Sequence, residues 1–211
     1  MTETIFPGPV PVLSELLLIS VCILADHYDI FSGHSGWAAA IRDNGVHGTI
    51  ACFCWAVFCD WRETARDLIQ CVVCGLLAMV LDVDHFIAAK TFTLKGAVSH
   101  PTRPPLHATS VIPLCASFIY VTSRLLSWKS GTTLAVMLTI AWLSHHIRDG
   151  VRRGLWLPPF GSTPPIPFNV YVASTAILPV LFKVMKFYSE SFSNISKTVT
   201  SEAQHVEISD V

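Results

Sequence analysis

Six apolar segments recur along this chain, separated by polar or proline-rich connections, and they leave room for little besides a membrane bundle. They cover residues 10–31, 46–61, 67–86, 106–126, 132–146 and 168–187. A straight membrane helix needs about 20 residues, within a range of roughly 17–25. The second and fifth segments fall short, so their polar ends are expected to line a cavity rather than face lipid. Composition agrees: 52% of the 211 residues are hydrophobic and 14% are charged, where an average soluble domain carries about 25% charged residues. The expected fold is therefore all-α, a polytopic membrane helix bundle of about six transmembrane helices over residues 1–188. The serine-rich polar stretch 189–211 is expected to be a disordered tail.

The connections contain backbone breakers. "SGHSG", "SHPTRPP" and "LPPFGSTPPIP" favour turns and extended chain, because proline fixes φ and restricts the residue before it. The N-terminus "MTETIFPGPVP" has an acid and no basic flank, so no cleavable signal peptide is expected. A formal net charge of −1 excludes nucleic acid as a partner, since phosphate binding needs a basic excess. The partner is the lipid bilayer. Seven cysteines, Cys22, Cys52, Cys54, Cys59, Cys71, Cys74 and Cys115, all lie within apolar segments and read as small buried hydrophobes.

The polar residues of the helices are not scattered. With six crossings, His27, His34, His47, His85, His100, His107, His145 and His146 all fall on one membrane face. Asp26, Asp29, Asp43, Asp82, Asp84 and Asp149 gather on the same face. Imidazole and carboxylate at this density suit a divalent metal: zinc first, with manganese or magnesium as carboxylates are added. On a helix, His145 and Asp149 are four apart and share a face, as do Asp82 and His85, three apart. His145 and His146 point about 100° apart, so one ion is not expected to use both. Asp84 is expected to orient His85 from behind the ligands.

Four motifs appear in order along the chain: "GVHG" with His47, "DVDH" with Asp82, Asp84 and His85, "RPPLHAT" with Arg103 and His107, and "SHHIRDGVRRGLWLPPFG" with His145, Asp149, Gly154 and Pro158. In this order they resemble the bacterial LexA-regulated membrane-bound metal-dependent hydrolase family over residues 44–160. The departures are Ala108 directly after His107 and "VRR" where the family has a threonine. The resemblance implies one or two metals held by His47, Asp82, His85, His107, His145 and Asp149. Asp84 is then a candidate general base. Arg103, Arg148 or Arg152 is a candidate to stabilise an oxyanion, since guanidinium matches phosphate in bidentate fashion. The reading is an integral membrane protein with a metal-dependent-hydrolase-like site at one face, acting on a lipid or other amphiphilic or phosphate-containing substrate. The alternative is a non-catalytic metal-binding or structural multi-pass membrane protein.

Overall fold

The computed structural model describes residues 9–26, 36–60, 64–99 and 101–209. These are almost entirely helical. The α-helices are α1 (Pro9–Asp26), α2 (Trp37–Phe58), α3 (Ala65–Met79), α4 (Val83–Ala88), α5 (Leu94–Val98), α6 (Val111–Leu125), α7 (Gly131–Arg153) and α8 (Phe168–Ser209). Short 3-10 turns at Val80–Asp82 and Pro105–His107 precede α4 and α6. Each of the six apolar segments corresponds to one long helical unit, with α3 and α4 joined through the 3-10 turn.

The interior buries Leu18, Ile50, Trp55, Leu81, Ile112 and Ile140, but many other large apolar side chains face outward. Small side chains such as Cys54, Cys71, Cys74, Ala78 and Ala141 also lie in the interior. The large apolar ones that point outward include Ile69 and Leu76 on α3, Leu114 and Phe118 on α6, Ile177 and Leu181 on α8. In lipid no hydrophobic force drives helices together, so small residues that allow close approach select the interior face. Gly48 of α2 and Gly75 of α3 show how close. A Cβ on Gly75 would stand 2.8 Å from the Gly48 carbonyl oxygen, and one on Gly48 would stand 2.7 Å from the Met79 sulfur.

Two stretches are long and apolar enough to cross a bilayer by length and composition, Ala65–Ala88 and Phe168–Phe192, with mean hydropathy 2.0 and 1.6. Helix α6 is apolar but shorter. Helices α2 and α7 break their apolar runs with Arg42, Asp43 and His47, and with His145, His146, Arg148 and Asp149. The expectation of an all-α bundle is met; of the about six transmembrane helices expected, two among the described residues are long and apolar enough to cross a bilayer.

The backbone stays helical to Ser209, through the stretch whose composition predicts disorder. That stretch contains neither proline nor glycine, so a helix nucleated upstream propagates without meeting a breaker.

Candidate metal centre

Four separate parts of the chain deliver the predicted ligands to one place. Helix α2 brings His47, which is 1% exposed, beside the tight Gly48–Gly75 contact. The 3-10 turn brings Asp82, and α4 brings Asp84 and His85. That turn advances about 120° per residue where an α-helix advances about 100°, so it re-aims α4 relative to α3. Pro104 and Pro105 shape the short 3-10 turn that ends in His107. Helix α7 brings His145 and Asp149 on a shared face.

The donor atoms are spaced as the edges of a coordination polyhedron. His107 Nε2 and His145 Nε2 are 3.3 Å apart, and each lies 3.5 Å from Asp149 Oδ2. Asp82 Oδ1 stands 3.7 Å from both imidazole nitrogens. Tetrahedral bonds of 2.0–2.1 Å imply edges of roughly 3.3 Å. On one side His47 Nε2 lies 3.4 Å from the other Asp149 oxygen, Oδ1, and its ring stacks on His145 at 3.8 Å between centroids. On another side His85 meets His107 edge to face at 4.7 Å and groups with Asp82 and His107. All six predicted ligands therefore meet. Both ring nitrogens of His47 and Nδ1 of His145 are buried without a hydrogen-bond partner among the described residues, an arrangement that costs free energy unless something else satisfies them.

Asp84 occupies a different position from the one expected. It is buried, accepts the Leu106 backbone N–H at 3.0 Å, and lies 3.1 Å from His107 Nδ1. It orients His107, not His85, and both its contacts are structural. A carboxylate accepts, so Nδ1 donates and Nε2 faces the other donors, the carboxylate–histidine pattern that fixes a ligand's tautomer. Burial disfavours an imidazolium at His107, but the contacts from Asp149, Asp82 and Asp84 outweigh it and raise the pKa to about 11.

His146 turns away from the cluster, as the helical period requires. Its Nε2 donates to the Leu106 carbonyl at 3.0 Å, which leaves Nδ1 to accept from the Thr109 hydroxyl at 3.1 Å. Together Asp84 and His146 clamp Leu106 on both backbone groups and so hold His107 from the other side. Sequence reasoning missed this clamp, because its contacts join residues 22 and 40 positions apart.

The arginines are also committed. Arg103 donates from Nη1 to the Gly154 carbonyl at 3.0 Å and from Nη2 to the Arg153 carbonyl. It satisfies the open carbonyls at the C-terminus of α7 and does not stand free to meet an oxyanion. Gly154 turns there with φ 69, where a Cβ would stand 1.9 Å from the Thr163 carbonyl oxygen. Arg148 grips Asp26 with Nε and Nη2 at 2.7–3.1 Å and Asp43 at 2.8 Å. Arg152 also binds Asp43, and the Tyr171 hydroxyl donates to Asp26 at 2.8 Å. This network ties α1, α2, α7 and α8 together, and Tyr171 is a member the sequence did not reveal. His27, His34, His100 and Asp29 lie outside the described residues.

The cluster forms the floor of a cavity of about 1240 Å³. Its walls include Trp37, Ile41, Phe86, Phe92 and Val98, together with Lys95, Arg152 and Arg153.

A helical bundle that turns many large apolar side chains outward and carries two stretches long and apolar enough to cross a bilayer fits an integral membrane protein. The chain is 42% identical over 183 residues to transmembrane protein 267 of Danio rerio, covering 83% of this chain and 80% of that protein. It is 38% identical over 187 residues to the Mus musculus protein of the same name, covering 87% and 86%, and 39% identical over 180 residues to that of Bos taurus, covering 84% and 83%. The chain belongs to the transmembrane protein 267 family. Its own motif resemblance to that vertebrate family lies in "DVDHF", "SHHIRDG" and "GLWLPPFG". No protein-family model matches the chain, and no solved structure matches it; the likeness to the bacterial hydrolases stands on the motifs alone.

Proposed function

We propose that this chain crosses the membrane six times and holds a divalent metal at one membrane face, where it hydrolyses a lipid or phosphoester. The carrying observation is the spacing of donors: the His107 and His145 Nε2 atoms lie 3.3 Å apart, and each lies 3.5 Å from an Asp149 oxygen and 3.7 Å from an Asp82 oxygen, with two more histidines flanking them. The donor chemistry favours zinc, with manganese or magnesium as alternatives. Asp82, His107, His145 and Asp149 form the first position. His47 and His85 extend it on either side, and Asp149 offers Oδ1 to His47 and Oδ2 to His107 and His145, which suits a second ion. A cation bound there supplies Lewis acidity and activates water near neutral pH. Asp84 keeps His107 in the tautomer that presents Nε2 to the cluster. The Arg148 network holds α7 in place one residue before Asp149.

A second reading, a non-catalytic metal-binding or structural protein, is favoured by one observation. The two groups expected to perform chemistry, Asp84 and Arg103, both spend their hydrogen bonds on positioning backbone. The readings separate in an assay of purified, metal-loaded protein against phosphomonoesters, phosphodiesters and lipid esters. Turnover that a chelator removes and the metal restores supports the enzyme. Firmly bound metal with no turnover across the panel supports the second reading.

A further inference from the structure

The cavity is far larger than the ion cluster at its floor needs. Ligand pockets typically measure about 300–1,000 Å³, and this one is about 1240 Å³. Its lining is divided by chemistry. Six cationic residues, Arg42, Lys95, Arg103, Arg148, Arg152 and Arg153, face three acids, Asp43, Asp82 and Asp149. Each acid is already engaged: Asp43 with Arg148 and Arg152, Asp82 and Asp149 with the histidines. Lys95 and Arg153 are exposed and make no ion pair among the described residues. The cavity therefore has a surplus of positive charge above its floor.

The apolar part of the wall is continuous and open. Trp37 at the start of α2 stacks on Phe86 of α4 at 5.7 Å with an interplanar angle of 8°. Around this plate Ile41 is 67% exposed, Phe92 is 95% exposed and Val98 is 63% exposed. Phe86 lies near the end of the apolar stretch Ala65–Ala88, and the ends of membrane helices are where aromatic side chains are enriched. Exposed phenylalanine, isoleucine and valine around a cationic cavity match a ligand with both an anionic head and an alkyl chain. Neither half of the lining alone distinguishes this from a free anion or from neutral lipid; together they do.

We propose that the cavity binds a phosphate-bearing, anionic amphiphile drawn from the surrounding leaflet. Its phosphate is read by Lys95 and Arg153, and its chain leaves past Trp37, Ile41, Phe92 and Val98. This deepens the metal-hydrolase reading by naming its substrate class, and it rests on that reading only for chemistry, not for binding.

The test is equilibrium binding of radiolabelled dioleoyl phosphatidic acid to the full chain in detergent micelles, with chelator present so that metal plays no part. Binding is expected to saturate and to weaken about tenfold or more, roughly 1.4 kcal/mol per tenfold, in Lys95→Ala with Arg153→Ala. The Lys95→Arg, Arg153→Lys exchange keeps the charges and should restore binding, which rules out a folding defect. Lys186→Ala, on the far part of α8, should leave it unchanged. Excess dioleoyl phosphatidylcholine should not displace the ligand, and neither inorganic phosphate nor glycerol 3-phosphate should compete at equal concentration. Undiminished binding in the double alanine variant overturns the proposal. So does equal competition by phosphatidylcholine, which would mean general lipid contact, or by inorganic phosphate, which would mean a free-anion site. If purified protein holds no metal but still binds phosphatidic acid selectively, the metal reading fails and this one stands.

Discussion

Arg148 and Asp149 are neighbours on α7, yet they belong to two polar clusters of opposite character. Around Arg148 every guanidinium nitrogen donates to an oxygen of Asp26 or Asp43, and Tyr171 adds its hydroxyl. Around Asp149 the donors stand 3.3–3.5 Å apart, and three buried imidazole nitrogens lack partners. The first cluster is closed: cation meets carboxylate at hydrogen-bond distance and nothing is left over. The second is not closed by its own hydrogen bonds: imidazoles and carboxylates crowd together and some buried nitrogens stay unpartnered among the described residues. One fastens four helices, and the other is available for a ligand. A histidine-rich membrane-protein end is thus best judged by whether its hydrogen bonds close without help.

The sharpest break between the clusters comes from paired substitutions. His145→Ala with Asp149→Ala removes two of the four donors and should abolish bound metal, measured by elemental analysis, while leaving the Arg148 network intact. Arg148→Met should do the reverse, leaving Asp26 without its guanidinium and Asp43 with Arg152 alone. Breaking a buried pair by removing one partner costs about 3–5 kcal/mol, so this variant should lose much thermal stability in detergent. If Arg148→Met melts like the wild type, the closed cluster is not a fastener.

Smaller effects sharpen the comparison. Gly154→Ala places a Cβ against the Thr163 carbonyl at a positive φ and should lower stability by about 2 kcal/mol, read from the melting midpoint. Asp84→Asn weakens the hold on His107 and should reduce metal affinity about tenfold, at the low end for groups that orient a ligand, with the melting midpoint nearly unchanged. A stability loss without an affinity loss would assign Asp84 to the fold alone. The last effect is one of pH. His107 in the metal-free protein has its pKa raised to about 11, above its unfolded value of about 6.5. Its contribution to stability is complete below about pH 6.5 and disappears as pH rises through about 11. Metal must displace that proton, so metal affinity should rise with pH over the same window. A metal titration at pH 6.5, 7.5 and 8.5 checks the sign.

Much of this was legible in the sequence, for specific reasons. Hydropathy located all six long helical units, and spacing placed Asp149 with His145 and turned His146 aside. Helix boundaries were less legible. Helix α2 starts at Trp37, nine residues before the apolar segment, because "WAAAIRDNG" reads as interfacial while Asp43 in fact faces Arg148 and Arg152. Helix α7 runs to Arg153 for the same reason. The partners of Asp84 and Arg103 were not legible because each is distant in sequence: Leu106 and His107 for one, the end of α7 for the other. Residue type identifies a group able to do chemistry. Only the fold shows whether its hydrogen bonds are already taken.

The central claim is that imidazoles and carboxylates from separate helices hold a cation. The most direct measurement is the metal content of wild-type protein purified without chelator, with X-ray absorption at the edge of the metal found. The account predicts one or two tightly held divalent ions per chain, with a nitrogen and oxygen shell near 2.0–2.1 Å if the ion is zinc. Folded protein that carries no metal, and takes up none when zinc, manganese or magnesium is added, would contradict it.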